Sequence, residues 1–502
     1  MDHTGPAGPS ALSDRIAEVV AIDPAAPAVE FDGRWRSWGE LGSTIGAVAE
    51  LVTTPGEQVG VILRNRPEHV GALLGVLRAG GCVVAINPQR GDERTRDDIA
   101  GLDLGTVVGT SADLDALVAS SSTATRVALD DLGRAPVVTC PPGHDAAAPA
   151  RPDVAVRMLT SGTTGPPKRV ELTYATLERV LVDAKYYERD RAEPAQLRSG
   201  VAIVNSPLVH LGGLFRVLQC VTDGRSFALL ERFTVDGWYD AVRRHRPKTA
   251  SLVPAALRMV LEADLDPAEL RSIRSVVSGT APLSPDDADA FREKYGIPVL
   301  VTYAATEFGG SVAGWNLRDH ERHWATKRGS VGRAHGGSEL RIVDEQDGHV
   351  LGPDEEGLLE VKAAALGRDA GWVRTTDLAR LDADGFLWIV GRADQAIIRG
   401  GFKVRPDDVR VALEAHPAVR GAAVVGVPDA RLGAVPVAVV ELRDRSDADA
   451  VSDLEDHLGD RLAPYEIPRE IAYVDVLPRT DSGKVDLVAV RALVAGRAAS
   501  QA

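Results

Sequence analysis

The sequence predicts an α/β fold in which a large N-terminal domain of βα layers precedes a small α+β C-terminal domain. Three observations lead to this prediction. The chain has 502 residues, about three times the roughly 150 residues of an average domain. In the first half, short β-rich apolar runs alternate with longer helical patterns, as in layered α/β proteins. After about residue 391 the pattern changes to strands and one amphipathic helix within about 110 residues, the size of a small domain.

The predicted strands of the N-terminal part are short apolar runs that are flanked by turn residues. They are expected at 59–65, 81–88, 201–207, 275–282 and 298–307. A helix is expected at 68–81, where two glycines close an apolar pattern of helical period. Residues 140–152 are rich in Pro and Ala and lack periodicity, which predicts a surface linker.

The C-terminal part is predicted to be a separate α+β domain. Strands are expected at 421–427, 435–442 and 470–476, and an amphipathic helix at 453–462. The boundary is placed near 391–395. We therefore predict an N-terminal domain over residues 1–391, a hinge at 392–394 and a C-terminal domain over 395–502.

Charge and cysteine usage exclude several classes of protein. The chain has 57 Lys and Arg against 72 Asp and Glu, a net charge of −15, so bulk electrostatic binding of nucleic acid or anionic membrane is not expected. The three cysteines lie far apart without a CxxC pair, which disfavours a disulfide framework and a structural zinc site. No signal peptide and no run of ~18 apolar residues is recognisable. We expect a cytoplasmic protein with no membrane span.

The segment with the most chemical content is 158–168, MLTSGTTGPPK. Glycine lets backbone N–H groups approach a phosphate, hydroxyls donate to its oxygens, and lysine supplies a point charge. The spacing G-x-x-G-x-x-K differs from the Walker pattern, which disfavours a P-loop nucleotide hydrolase. A single loop of this kind is more often a surface turn, so a phosphate-binding function is predicted only if further motifs accompany it.

Further motifs follow in a fixed order. They are SGTAPL at 278–283, YAATE at 303–307, WVRTTD at 372–377, DGFLWIVGR at 384–392, IRGGFKV at 398–404 and LPRTDSGK at 477–484. With the 158–168 loop, this set resembles the signature of the adenylate-forming superfamily, which includes acyl-CoA synthetases, the adenylation domains of nonribosomal peptide synthetases and firefly luciferase. The resemblance spans roughly residues 30–490. It implies that family's fold, in which a β-rich subdomain completes the N-terminal domain and the small C-terminal domain is mobile.

The resemblance implies a reaction in two steps. A carboxylic acid attacks ATP and gives an acyl adenylate and pyrophosphate; the thiol of CoA then displaces AMP and gives acyl-CoA. ATP, Mg²⁺ and CoA are the implied cofactors and co-substrates. Because the first barrier is mostly repulsion between a carboxylate and the α-phosphate, the protein must supply cations and fixed donors.

By the resemblance, Lys484 bridges the carboxylate and the α-phosphate, Glu307 binds Mg²⁺, and Thr306 binds phosphate oxygens. Asp377 accepts from the ribose hydroxyls and Arg392 donates to the ribose from the other side. The residues expected to contact ATP or AMP are Thr160, Ser161, Gly162, Thr163, Thr164, Gly165, Lys168, Gly279, Thr280, Ala281, Tyr303, Ala304, Asp377, Ile389 and Arg392.

For the second step, the resemblance implies that the C-terminal domain swings about Asp394, withdraws Lys484 and presents the 398–404 loop to CoA. Glycines there suit a narrow tunnel for the pantetheine arm, since they have no side chain. The residues expected to contact CoA are Arg399, Gly400, Gly401, Phe402 and Lys403.

Three positions depart from the family's pattern. Thr376 replaces a glycine before the aspartate, and Ala304 replaces a glycine after the tyrosine. Each adds a Cβ near the nucleotide, so altered ATP affinity is expected. Asp486 stands where basic residues are common, and weaker contacts of the C-terminal helix are expected.

The acid is predicted from the segment 205–214, which resembles the P-x-x-H-x-x-G stretch of acyl- and aryl-CoA ligases. It places His210 at the acid pocket and lacks the aspartate that amino-acid-activating relatives use, so an amino acid is disfavoured. The expected lining is Leu211, Gly213, Phe215, Ser278, Ala305 and Phe308. This apolar set favours a fatty, aryl or alicyclic acid. Neither Arg216 nor Arg258 falls clearly where malonate-type ligases pair a second carboxylate, which leaves a dicarboxylate as the alternative.

Two other functions stay open. One is a stand-alone adenylating enzyme that loads a phosphopantetheinyl carrier protein. The other is a nucleotide-sensing pseudoenzyme, which disagrees with four intact residues: Lys168, Glu307, Asp377 and Lys484. His320 and His323 are expected to be solvated rather than to bind a metal. A monomer or a homodimer is expected.

Overall fold

The computed structural model describes residues 10–119, 122–139, 148–159, 168–181, 195–367, 369–429, 431–443, 454–480 and 483–501. The chain divides into two compact units. The first comprises Met1–Ser161, Pro167–Arg322 and Ala363–Ala370, and the second comprises Gly162–Pro166, His323–Lys362 and Gly371–Ala502. The predicted hinge at 392–394 lies inside the second unit, and the predicted domain boundary stays a prediction.

The first unit is built from strands and helices that alternate along the chain. Its strands are β1 (Pro27–Phe31), β2 (Arg34–Ser37), β3 (Gln58–Ile62), β4 (Cys82–Ile86), β5 (Thr106–Gly109), β6 (Thr125–Ala128), β7 (Val137–Thr139), β8 (Val154–Leu159), β9 (Arg169–Thr173), β10 (Arg198–Val204), β11 (Arg225–Leu229), β12 (Thr249–Ser251), β13 (Ser275–Ser278), β14 (Val299–Ala305) and β15 (Gly310–Gly314). Its helices are α1 (Ala11–Ile22), α2 (Trp38–Ala49), α3 (Pro67–Arg78), α4 (Asp92–Ala100), α5 (Ser111–Leu117), α6 (Tyr174–Leu181), α7 (Leu211–Thr222), α8 (Val235–His245), α9 (Pro254–Glu262) and α10 (Pro285–Tyr295), and α11 (Leu317–His323) ends at the unit boundary.

Three sheets organise these elements. The order in the largest is β7-β6-β5-β3-β4-β8-β9, a second runs β10-β11-β1-β2, and a third contains β12-β13-β14-β15. β3, β4 and β5 are parallel and fully buried, which explains their continuous apolar sequences. One core joins α1, α2, α3 and α7 to the first two of these sheets through residues such as Trp38, Leu73 and Phe227.

The second unit is mostly antiparallel. Its strands are β16 (Arg333–Ala334), β17 (Glu339–Val343), β18 (Gly357–Lys362), β19 (Val373–Leu381), β20 (Leu387–Arg392), β21 (Ile397–Arg399), β22 (Phe402–Val404), β23 (Val419–Asp429), β24 (Gly433–Leu442) and β25 (Glu470–Val474), and its helices are α12 (Pro406–Glu414), α13 (Leu454–Gly459) and α14 (Leu487–Gln501). One sheet has the order β17-β18-β19-β20, and another has the order β22-β21-β24-β23 with β25 beside β24.

The predicted elements agree with these bounds. Strands overlap all five segments predicted for the N-terminal part and all three predicted for the C-terminal part, and helices α3 and α13 overlap the two predicted helical segments. The linker prediction falls largely on 140–147, outside the described residues. No described helix has the length and apolar character needed to span a lipid bilayer.

Cys82 and Cys220 are buried thiols. Burial raises the pKa of the Cys82 thiol to about 12, so this group is a neutral, unreactive part of the core.

Candidate active site

The Thr- and Gly-rich segment joins two antiparallel strands of the largest sheet, β8 and β9, in which Leu159 lies opposite Arg169. The predicted phosphate-binding residues Thr160, Ser161, Gly162, Thr163, Thr164 and Gly165 lie outside the described residues. Lys168 is exposed and directly precedes β9. Arg169 anchors the returning chain, because its guanidinium donates to the Ala85 carbonyl at 3.0 Å and to the Asp98 carboxylate at 2.5 Å. The role of this loop in phosphate binding stays a prediction.

The parallel strands β13 and β14 bring two predicted motifs to the same edge of the third sheet. Ser278 closes β13 and is 1% exposed, and its Oγ has no hydrogen-bond partner among the described residues. At Gly279 a Cβ would lie 2.8 Å from Cγ2 of Thr302, so the sheet leaves no room for a side chain. Thr280 is exposed with φ +72°, a strained left-handed conformation for a β-branched residue.

The end of β14 carries the YAATE motif into a 3₁₀ turn at Thr306–Phe308. The Tyr303 and Phe308 rings lie 6.1 Å apart at 46°. The adjacent Ala304 and Glu307 are exposed. A solvent-facing carboxylate next to a threonine hydroxyl is a donor set that suits Mg²⁺, which prefers hard oxygen ligands.

His210 directly precedes α7, and its backbone N–H donates to the Pro207 carbonyl at 3.0 Å. The backbone of the first helical turn also lies close to this carbonyl. A Cβ on Gly213 would lie 2.2 Å from the Pro207 oxygen. Gly213 is therefore required by the path of the chain.

Asn65 holds the segment before His210 and was not predicted from the sequence. Its Nδ2 donates to the carbonyls of Ser206 at 3.1 Å and Leu230 at 2.9 Å, and its Oδ1 accepts from the Leu208 N–H at 2.8 Å. Asn65 is 5% exposed. A single asparagine 141 residues from Ser206 gives no signal of this contact in the sequence.

The residues predicted for the acid pocket differ in burial. Ser278 and Phe308 are buried, Leu211 and Phe215 are half-buried and pack on the main core, and Ala305 is half-buried. The arginines considered for a second carboxylate have protein partners: Arg258 pairs with Asp287 at 2.7 Å, and Arg216 donates to Gln219 Oε1 at 3.0 Å.

In the second unit, β19 and β20 bring Asp377 and Arg392 directly opposite each other. A carboxylate oxygen of Asp377 lies 4.0 Å from Arg392 Nε. The guanidinium also donates to both oxygens of Asp394 at 3.0 Å each and to Thr376 Oγ1 at 2.6 Å. Ile389 is half-buried on β20. The structure thus gathers the predicted ribose and hinge residues into one cluster.

The glycine pair of the 398–404 loop forms the turn of the hairpin β21–β22. Arg399 lies opposite Phe402, and Gly400 and Gly401 have φ of +59° and +93°. A two-residue hairpin turn with positive φ at both positions favours glycine. A Cβ on Gly401 would meet no described residue within 4 Å, so backbone conformation rather than lack of space explains this glycine.

The side chains around this turn have partners inside the second unit. Phe402 stacks on Tyr465 with ring centroids 4.6 Å apart at 16°. Arg399 donates to the carbonyls of Tyr465 and Ile467 at 2.8 and 2.9 Å, and Lys403 pairs with Glu345 at 2.8 Å. Their contacts with CoA stay a prediction.

Lys484 lies at the base of a tight loop. The Thr480 N–H donates to the Lys484 carbonyl at 2.7 Å, and Gly483, with φ +78°, donates back to Thr480 at 2.8 Å. Asp486 then caps α14, accepting from the N–H groups of Val488 and Ala489 at 3.0 Å each. Asp486 thus has a stabilising role that the sequence pattern did not predict.

The expectation that His320 is solvated is wrong. His320 is 3% exposed and its ring packs edge-on against Trp315 at 5.7 Å. Burial lowers its pKa to about 4. His323 is half-buried and packs against Phe386 at 5.5 Å.

Two family models match the chain. The model described as AMP-binding enzyme matches residues 16–368, and the AMP-binding enzyme C-terminal domain matches residues 409–484. The chain belongs to the AMP-binding enzyme family. This confirms the resemblance and the fold class predicted from the motifs.

Similar members of the AMP-binding family are named as CoA ligases. The 4-coumarate–CoA ligase-like 3 of Arabidopsis thaliana is 32% identical over 66% of this chain, and the match spans 61% of that relative's length. The indoleacetate–CoA ligase of Aromatoleum aromaticum is 29% identical over 96% of this chain and 98% of its own. The ATP-bound structure of MatB from Rhodopseudomonas palustris superposes with a TM-score of 0.79 at 26% identity, covering 96% of this chain and 98% of that one.

Proposed function

We propose that the protein activates a carboxylic acid with ATP to an acyl adenylate and transfers the acyl group to the thiol of CoA. The observation that carries this proposal is the direct pairing of Asp377 with Arg392 across β19 and β20. An acceptor and a donor side by side suit the two hydroxyls of a ribose. The names of the CoA ligases among the relatives support the same reaction.

In this proposal the chain's own residues overcome charge repulsion. Lys484 neutralises the carboxylate and the α-phosphate together, because an ammonium acts as a compact point charge. The Tyr303 ring supplies a face for adenine. Glu307 holds Mg²⁺, which supplies charge neutralisation at the phosphates when bound.

The proposed acid carries one carboxylate on an apolar aryl, alicyclic or fatty group. The apolar side chains of Leu211, Phe215 and Phe308 support this class of acid. Arg258 already pairs with Asp287, which disfavours Arg258 as the residue that binds a second carboxylate. A dicarboxylate stays the alternative, since relatives include a 2-succinylbenzoate–CoA ligase of Enterococcus faecalis. We also propose a hinge at 392–394 around Asp394 and a cytoplasmic location.

The reaction is tested with ATP, Mg²⁺, CoA and a panel of aryl, fatty and dicarboxylic acids. We expect acid-dependent release of pyrophosphate followed by AMP and acyl-CoA. If an acid elicits pyrophosphate but free CoA yields no thioester while a holo-carrier protein does, the carrier-loading alternative replaces CoA. If no acid in any class elicits pyrophosphate, the proposed function is wrong.

Lys484→Ala tests the proposed adenylating residue. We expect acid-dependent exchange of pyrophosphate into ATP to fall by about 100-fold or more, because the charge that joins the two anions is lost. Transfer from a presynthesised acyl adenylate to CoA should fall far less. Lys362→Ala is the matched control: it also removes one lysine charge, but Lys362 on β18 pairs with Glu339 on the neighbouring strand β17. Full exchange activity in Lys484→Ala would contradict the assignment.

A further inference from the structure

Thr376 makes a short hydrogen bond to the side chain that is proposed to meet the ribose. Its Oγ1 accepts from Nη2 of Arg392 at 2.6 Å. The bond joins a neutral acceptor to a cationic donor, which makes it stronger than an ordinary hydroxyl bond. The two residues are 16 positions apart and lie on neighbouring strands.

Asp394 holds the same guanidinium from another side. Its Oδ1 accepts from Nε and its Oδ2 accepts from Nη2, both at 3.0 Å. Nη2 has two hydrogens and donates to both Thr376 and Asp394. Because the guanidinium is a planar, rigid fork, three bonds in two directions fix its rotation and its position beside Asp377.

Among the described residues, the Thr376 hydroxyl makes no hydrogen bond to the backbone of the sheet. The neighbouring Thr375 makes the backbone contacts, donating to the Leu359 carbonyl at 2.9 Å and accepting from the Asp377 N–H at 3.0 Å. Thr376 is exposed, whereas Thr375 is half-buried. Removal of the Thr376 hydroxyl therefore does not break the hydrogen bonds that stabilise β19.

We propose that Thr376 is a positioning residue: together with Asp394 it orients Arg392 beside Asp377 before the nucleotide arrives. The inference rests on the proposed function, in which Asp377 and Arg392 bind the ribose. An arginine side chain that is already ordered loses less conformational entropy on binding. Without the hydroxyl, the guanidinium rotates more freely and the nucleotide must order it.

The experiment measures binding of AMP to the full-length protein by calorimetry, without acid or CoA. Thr376→Val keeps the shape and the β-branch but removes the acceptor, and we expect its Kd for AMP to rise about three- to tenfold. Thr376→Ser restores the hydroxyl and should return the Kd to within about twofold of the wild type. The melting temperatures of both variants should match that of the wild type.

A second ligand separates positioning from a general defect. 2′,3′-Dideoxy-AMP lacks the hydroxyls that Asp377 and Arg392 are proposed to bind, so Thr376→Val should bind it as the wild type does. The inference is overturned if Thr376→Val binds AMP normally, if Thr376→Ser fails to restore binding, or if both ligands lose affinity equally. A wild-type protein that binds no AMP at all would instead overturn the proposed function.

Discussion

At the scale of single residues, buried polar side chains determine the path of the chain around the predicted acid site. The Asn65 side chain makes three hydrogen bonds to the backbone of Ser206, Leu208 and Leu230. In the sequence it stands between two arginines before a proline, a context typical of an ordinary turn. Its importance comes from burial, because backbone groups that lose a partner inside a protein cannot bind water instead.

We predict that Asn65→Ala lowers the free energy of unfolding by about 1–3 kcal/mol, because two carbonyls and one N–H lose their buried partner. It should also raise the KM for the acid, since the segment before His210 loses its anchor. Urea denaturation and steady-state kinetics measure the two effects.

The matched control is Asn316→Ala, which removes an exposed cap whose Oδ1 accepts from the Asp319 N–H at 2.8 Å. It should cost about 1 kcal/mol without changing that KM. An equal change in KM for both variants would show that loss of stability alone explains the effect of Asn65.

At the scale of elements, the hairpin β21–β22 shows how turn geometry explains a motif. The pair Gly400–Gly401 was predicted to serve a narrow tunnel, and both glycines lie in the left-handed region with φ of +59° and +93°. The right-handed twist of the two strands requires this kind of turn. Glycine at these positions is therefore needed for the hairpin to form, whatever the hairpin binds.

We predict that Gly401→Val destabilises the protein by about 1–2 kcal/mol, because a β-branched residue is strained at φ +93°. Gly401→Asn should cost less, since asparagine tolerates the left-handed region. Gly371→Val is the control: its backbone is outside that region, and a Cβ there would meet no atom within 4 Å in the part of the chain that the structure describes. Thermal melting of the three variants checks the order. Equal losses for Gly401→Val and Gly371→Val would refute the explanation.

At the scale of the whole molecule, buried histidines contribute to the loss of stability in acid. His69 is fully buried and its pKa is lowered to about 4, chiefly by burial. His320 is likewise buried, with a pKa of about 4. The ordinary value of about 6.5 applies to the unfolded chain. Between these values the unfolded chain binds more protons than the folded one, so stability rises with pH.

We predict that each of these histidines contributes up to about 3 kcal/mol of stability that is present above pH ~6.5 and is lost as the pH falls toward ~4. His69→Asn keeps an acceptor for the Arg64 N–H, which Nδ1 binds at 2.8 Å, and it does not titrate. Its free energy of unfolding should fall less between pH 7 and pH 4 than that of the wild type.

The control for this measurement is His349→Asn. His349 is exposed, and the adjacent Asp347 raises its pKa, so its replacement should not flatten the loss of stability in acid. A wild-type slope in His69→Asn would contradict the role assigned to the buried ring.

Much of the fold was predictable because strand formation depends on local pattern. The parallel strands β3 and β4 are fully buried and read as continuous apolar runs. The site was predictable only as a set of separate motifs. His320 shows the limit: the residues next to it in sequence are polar, but it is buried and its ring packs edge-on against Trp315, so solvation was the wrong expectation.

Residue types and spacings along single stretches of chain were enough to predict the family, the order of the motifs and the strands β13 and β14 beside the 278–283 and 303–307 motifs. They did not predict β19 and β20, which carry Asp377 and Arg392. Which side chains meet became evident from the three-dimensional packing. Asn65 reaches Ser206 across 141 residues, and Thr376 reaches Arg392 across a pair of strands. The physical reason is that such contacts depend on strand register and on how distant elements pack, which local periodicity does not encode.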